Sequence, residues 1–140
     1  MENWPHDRVL RTLAAARPEG LRTLGEALIP SLGEVEVLSS RTGLVMLPMR
    51  DPCAGRHFHL GEVLVAEAHV RASDAEGYGM RRGRDLEAAM AMALVDLALA
   101  RGVAVDRCRD FLEAEAAHRT AADTAEMRDV AATRVEMETF

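Results

Sequence analysis

The chain has 140 residues, 49% of them hydrophobic and 4% aromatic, with 17 basic and 23 acidic residues and a formal net charge of -6. One domain of this length buries about 70% of its unfolded surface, and the apolar share is too high for a chain disordered throughout. The acidic balance argues against general nucleic-acid binding, because that function needs a concentrated positive face and no long basic run occurs here.

Membrane and secretory classes are also disfavoured. No segment reaches the ~20 apolar residues that a transmembrane helix requires, since Asp96 interrupts the apolar run at 88–100. The first 16 residues carry charges of both signs and lack the apolar centre of a signal peptide. Cys53 and Cys108 lie far apart and outside any Cys-x-x-Cys pattern. We therefore expect a cytoplasmic protein with free thiols and no membrane partner.

Two short helices are predicted within residues 5–30, separated at Arg17-Pro18-Glu19-Gly20. Each has an apolar stripe at helical spacing, and Pro30 and Gly33 are expected to end the second helix. The first stripe is Val9, Leu10 and Leu13, and the second is Leu21, Leu24, Leu28 and Ile29.

From Glu34 the apolar period changes and predicts a four-stranded, mainly antiparallel sheet. Residues 39–43 are typical turn residues between two short strands, which is a hairpin pattern. Short connections favour a meander. The four predicted strands are Glu34 to Val37, Leu44 to Leu47, Phe58 to Arg71 and Gly77 to Arg82. In the third, Ala66, Ala68 and Val70 alternate with Glu67, His69 and Arg71.

A helix is predicted after Gly83, with Asp85 as its N-cap and Gly102 at its end. Its apolar stripe indicates that it covers one face of the sheet. The stripe contains Leu86, Met90, Ala93, Leu94 and Leu97.

The last segment, 106–140, favours helix but has too few apolar residues to be expected in the core. It contains nine acidic residues and five arginines, a net charge of -4 (5 − 9), so it could engage a basic protein surface. We interpret it as a C-terminal helical extension of an α+β domain at 1–105. Its stripe of Met127, Val130, Arg134 and Val135 would contact a partner. A solvated, partly frayed helix is the alternative.

A metal site is one candidate for chemistry. Residues two apart on a strand face the same side, so His57 and His59 could bind a metal with Cys53 from the preceding loop. His69 could share that face. The spacing is only permissive, and exposed strand histidines are the simpler interpretation, so we predict no metal.

A phosphate-binding turn is a second candidate. Arg81, Arg82 and Arg84 lie just before a predicted helix, where backbone N–H groups also attract anions. Asp85 and Glu87 occupy the same helix start and already satisfy its dipole, which favours an ordinary capped turn. The glycines around this turn do not have dinucleotide-binding spacing.

Catalytic groups are not evident. No nucleophile motif occurs, and the serines are in turn-like contexts. Glu62 and Glu67 lie in a mostly apolar strand, but such carboxylates are more often exposed than catalytic. We predict no catalytic residue in this chain.

A series of short motifs, in this order, resembles the G subunit family of the bacterial carbon-phosphorus lyase system. Together they cover most of the chain. They are Arg41-Thr42-Gly43-Leu44-Val45, Phe58, Gly61-Glu62-Val63-Leu64-Val65, Val70, Gly77-Tyr78-Gly79, Gly83-Arg84-Asp85, Asp96 and Thr133-Arg134-Val135-Glu136. The histidines of the candidate metal site, and Arg81 and Arg82, are not positions of this pattern.

The resemblance implies a cytoplasmic complex with the H, I and J subunits that takes phosphorus from phosphonates. In that family the G, H and I proteins, with the L protein, convert ATP and an alkylphosphonate such as methylphosphonate into α-D-ribose 1-methylphosphonate 5-triphosphate, displacing adenine. The nucleosidase-like chemistry belongs to I and the radical cleavage to J, while G packs on I.

The resemblance therefore implies an accessory subunit that binds no cofactor itself, with ATP as a substrate of the complex. The expected partners are I first, then H and J, and the isolated chain could form a homo-oligomer through the surface given to I. Two alternatives remain. The arginine turn could contribute to a shared nucleoside triphosphate site, or the chain could be a stand-alone small-molecule binder.

Overall fold

The computed structural model describes the backbone of residues 4–50 and 57–138, and the side chains of 4–46 and 61–128. Four helices and three strands follow one another in an α+β arrangement, which confirms the predicted fold class. In chain order they are α1 His6–Ala15, α2 Pro18–Leu32, β1 Glu36–Arg50, β2 His57–Ala72, β3 Ala75–Arg82, α3 Leu86–Arg101 and α4 Val105–Glu138.

The sheet has three antiparallel strands in the order β1-β2-β3, so the prediction of four strands is wrong in number. The predicted turn at Ser39 to Gly43 is strand, because these residues pair with His69 to Val65 of the long neighbouring strand. A register shift between Val37 and Ser39, as at a β-bulge, lies where this paired segment begins. The ladder satisfies the backbone groups that a local turn would otherwise have satisfied.

Alternation along β2 separates a covered face from an outer face. Ala66, Ala68 and Val70 are fully buried and face α3, as their spacing predicts. Glu67 and His69 lie on the other side, which we call the outer face. The covered face and the four helices thus enclose the core.

Helix α3 begins and ends at the predicted residues. The Asp85 carboxylate accepts a hydrogen bond from the Ala88 N–H at 3.0 Å, and Gly102 ends the helix in the left-handed conformation with φ 70°. Ten of its residues are buried, many of them alanines, so the helix lies close to both the sheet and α2.

Helices α1 and α2 confirm the two predicted N-terminal helices. Val9 and Leu13 of the first apolar stripe are buried, whereas Ile29 of the second stripe is exposed. Pro30 does not end α2; it lies inside the last turn, and the helix ends at Leu32 before Gly33, which has φ 71°. The glycine ends the helix because it adopts positive φ at little cost.

Helix α4 packs on the body through its first turns. Cys108 and Leu112 are buried, so the expectation that this segment is too weakly apolar for the core is wrong there. Glu115, 6% exposed, accepts hydrogen bonds from Arg17 Nε at 3.1 Å and Arg17 N at 3.3 Å. This ion pair attaches α4 to the turn between α1 and α2. The division between 1–105 and 106–140 stays a prediction.

Candidate functional site

The structure separates the three arginines of the predicted phosphate turn. Arg81 donates hydrogen bonds to the carbonyl oxygens of Leu13 and of Ala16, the latter at 2.7 Å. It therefore caps the C-terminal end of α1, where orphan carbonyls attract a cation. Burial lowers the pKa of the Arg81 guanidinium.

Arg82 and Arg84 are exposed and are not held beside Arg81. Arg81 pairs with Ala66 and shares the covered face, so the next residue, Arg82, projects from the outer face. Arg84 follows Gly83, which has φ 101° and donates its N–H to Leu64 O at 2.8 Å. A phosphate site at this turn stays a prediction, and its exposed groups are Arg82 and Arg84.

The glycines before this turn have a packing role that the sequence did not reveal. A Cβ on Gly77 would meet the Ala93 carbonyl and lie 2.7 Å from the Cβ of Leu97. A Cβ on Gly79 would meet the Ala89 carbonyl. The Gly77-Tyr78-Gly79 motif thus allows the backbone of β3 to approach α3 closely.

Asp96 joins three elements beside a cavity. Its buried carboxylate accepts hydrogen bonds from the Tyr78 N–H at 2.9 Å and from His6 Nε2 at 2.8 Å, linking α3 to β3 and α1. The adjacent cavity has a volume of about 510 Å³, with apolar walls that include Trp4, Val9, Leu99 and Leu112. The carboxylate thus satisfies a backbone donor of β3 and holds the exposed His6 side chain.

The second carboxylate of interest, Glu67, belongs to a surface network on the outer face. It accepts a hydrogen bond from the Tyr78 hydroxyl at 3.0 Å and lies 3.4 Å from Arg41. Burial, followed by the hydrogen bond to Glu67, raises the pKa of Tyr78. Glu62 is exposed near the end of the described side chains of β2. These contacts account for Glu67 as a surface hydrogen-bond acceptor.

The residues of the candidate metal site lie largely outside the described part of the chain. Cys53 lies outside the described residues, and His57 and His59 are described only as backbone of β2. His69 lies 3.6 Å from Glu76 and edge-on to the Tyr78 ring. Within the described part of the chain, no three His, Cys, Asp or Glu side chains form a group able to hold a metal ion.

Of the predicted contact stripe on α4, the structure describes the side chain of Met127. Met127 is 71% exposed, as a partner-facing residue would be in an isolated chain. The side chains of Val130, Arg134 and Val135 lie outside those described, although their backbone is helical. Within the described helices, none is long and apolar enough to cross a membrane.

An exposed apolar ribbon is the feature that the sequence analysis missed. Strand β3 ends at Arg82, opposite Val65, so beyond this point β1 and β2 continue as two strands. Leu44 is 63% exposed, Met46 is 51% exposed, and Val45 between them is also exposed. Consecutive strand residues face opposite sides, so Leu44 and Met46 expose apolar surface on one face of this ribbon and Val45 on the other.

Comparison with known proteins supports the motif-based resemblance. Residues 5–140 match the family described as phosphonate metabolism protein PhnG. A curated relative, alpha-D-ribose 1-methylphosphonate 5-triphosphate synthase subunit PhnG of Rhizobium meliloti (strain 1021), is 33% identical over 138 residues, which cover 90% of this chain and 88% of the relative. The chain therefore belongs to the PhnG family of phosphonate metabolism proteins.

Proposed function

We propose that this chain is an accessory subunit of alpha-D-ribose 1-methylphosphonate 5-triphosphate synthase, the complex named in its curated relative. It would act in the cytoplasm, supporting the reaction of ATP with methylphosphonate without supplying catalytic residues or binding a cofactor. Its foremost partner would be the I subunit, followed by H and J. Family membership over nearly the whole chain supports this assignment.

The observation that carries the proposal is the exposed apolar ribbon at Leu44, Val45 and Met46. Apolar side chains on both faces of a two-stranded projection are costly to leave in water and gain stability when another chain covers them. A subunit would bury this surface on assembly.

The C-terminal half of α4 is the second proposed contact. Met127, Val130, Arg134 and Val135 would lie against the I subunit, because an exposed helix with so few apolar positions gains little stability alone. Its acidic character suits a basic partner surface.

Co-expression tests the proposal directly. The chain, carrying an affinity tag, is produced with the H, I and J subunits of the same organism, and the purified complex is assayed with the L protein, ATP and methylphosphonate. We expect the three subunits to copurify and the triphosphate product to form only when this chain is present. Purification of the chain alone, or full product formation without it, would refute the assignment.

The double variant Leu44→Asp/Met46→Asp asks whether the ribbon is the contact. We expect it to fold and to lose the other subunits. Ile29→Asp, an exposed apolar residue on α2, is the matched control and should copurify normally. If the unaltered chain, the double variant and Ile29→Asp all copurify equally with the other subunits, the ribbon is not an interface.

A role of the arginine turn in a shared triphosphate site is the second candidate, and it is favoured only by the exposure of Arg82 and Arg84 beside Gly83. The variant Arg84→Ala should then assemble normally but weaken ATP binding by the complex. Unchanged ATP affinity would remove this candidate.

A further inference from the structure

A groove lies between the outer face of the sheet, α1 and the exposed middle of α4. Its volume is about 630 Å³. The floor is apolar, and strand pairing places two of its residues, Val45 and Val63, directly opposite each other. The complete floor from the sheet is Val45, Val63, Val65 and Met80. This surface continues onto the exposed ribbon through Val45.

The charge of this groove is opposite to that of the chain. Among the ten described residues that line it, four are arginines and none is acidic, although the whole chain has a net charge of -6. Arg81 is already engaged with the end of α1, and Arg11 lies 3.3 Å from Asp7. Arg82 and Arg119 remain as exposed cations on the two sides.

We propose that the groove binds a segment of another subunit of the complex, with apolar side chains on the floor and carboxylates at Arg82 and Arg119. This inference rests on the proposed function. An apolar centre with charged groups at its margin is the usual composition of a protein interface. A phosphate group would satisfy the arginines but would leave the valine and methionine floor in water, so the observations favour a protein segment.

The opposite charges would contribute mainly to specificity and to the rate of association, and burial of the floor mainly to affinity. The two contributions can therefore be separated. Substitution of the floor should weaken binding at every salt concentration. Reversal of the arginine charges should weaken it most at low salt, because exposed charges are screened as ionic strength rises.

The test measures the affinity of the full chain for the complex assembled from the remaining subunits, by titration at low and high salt. The variants are Val45→Asn for the floor and Arg82→Glu/Arg119→Glu for the margin. Their matched controls, Val37→Asn and Arg107→Glu, are exposed residues of the same types outside the groove. Circular dichroism and the melting temperature establish that each variant is folded.

We expect Val45→Asn and the double arginine variant each to weaken binding by about tenfold or more. The double variant should also lose most of the salt dependence, while both controls bind as the unaltered chain does. Tight binding of both groove variants by a complex that also binds the unaltered chain would overturn the groove but not the proposed function. Failure of the unaltered chain to bind would instead refute the proposed function.

A second copy of this chain, through its acidic α4, is the competing occupant. Sedimentation of the isolated chain distinguishes a second copy of this chain from another subunit as the occupant. If Arg82→Glu/Arg119→Glu converts a homodimer into a monomer and leaves the affinity for the other subunits unchanged, the groove is a self-association site and the proposal is wrong. A monomer in both forms, with weakened subunit binding, supports the proposal.

Discussion

Gly77 of β3 lies against Ala93 of α3 so closely that a methyl group on the glycine would meet the alanine carbonyl. Side chains normally separate a helix from the sheet that it covers. Here the glycines of β3 and the alanines of α3 remove that separation. The small residues of both segments therefore allow the backbones of β3 and α3 to approach each other closely.

The first prediction concerns this contact. Gly77→Ala and Gly79→Ala should each destabilise the fold by about 1–3 kcal/mol or more, because backbone atoms rather than flexible side chains occupy the space. Gly43→Ala is the control, since nothing lies within 4 Å of its added Cβ. Urea unfolding measures the difference. Equal stability of all three variants would contradict the close approach.

The second prediction concerns the buried Asp96. Asp96→Ala should cost about 1–3 kcal/mol because it leaves the Tyr78 N–H without its acceptor. His6→Ala should cost at most ~1 kcal/mol, since the His6 side chain is 70% exposed. Asp96→Asn, which keeps an acceptor oxygen, should fall between them. If His6→Ala cost as much as Asp96→Ala, the ion pair rather than the backbone acceptor would be the important contact.

The third prediction separates Arg81 from its neighbours. Arg81→Ala should lower stability by about 1.5–3 kcal/mol, because two carbonyls at the end of α1 lose a charged donor. Arg82→Ala and Arg84→Ala should change stability by less than ~0.5 kcal/mol, as expected for exposed side chains. Thermal unfolding distinguishes the three. Equal melting temperatures would show that the cap contributes nothing.

The fourth prediction concerns the buried thiol of Cys108. Burial raises the pKa of Cys108 from 9.0 to about 11. The folded chain therefore retains the thiol proton between these pH values while the unfolded chain loses it, so the thiol's contribution to stability falls as pH rises from about 9 to 11. Cys108→Ala does not titrate and should show a smaller decline over this range.

Urea unfolding of both proteins from pH 8 to 11, in a Cys53→Ser background, measures this contribution. As pH rises, the free energy of unfolding should fall further for the protein with Cys108 than for Cys108→Ala. A constant difference would show that Cys108 titrates at the same pH in the folded and unfolded states.

Local patterns predicted most of the elements correctly. The Asp85 cap, the Gly102 terminus and the alternation of Ala66, Ala68 and Val70 depend on neighbouring residues in the chain, and the structure confirms them. Ser39 to Gly43 misled the prediction because their turn preference is local, whereas their strand state depends on pairing with a distant part of β2.

The candidate site could be predicted less well. Arg81 and Arg82 are adjacent in sequence and resemble one basic cluster, yet a strand directs consecutive side chains to opposite faces. Only the position of α1 reveals that Arg81 meets the Leu13 and Ala16 carbonyls. Nor does the sequence show that β3 stops opposite Val65 and leaves an apolar ribbon uncovered.

The sequence by itself determined the α+β class, the two caps of α3 and membership of the PhnG family, because composition, spacing and ordered motifs carry that information. The tertiary structure decided which face each arginine occupies, which glycines must lack a side chain and which apolar residues remain open to a partner. These properties depend on contacts between residues far apart in the chain, so no local pattern contains them.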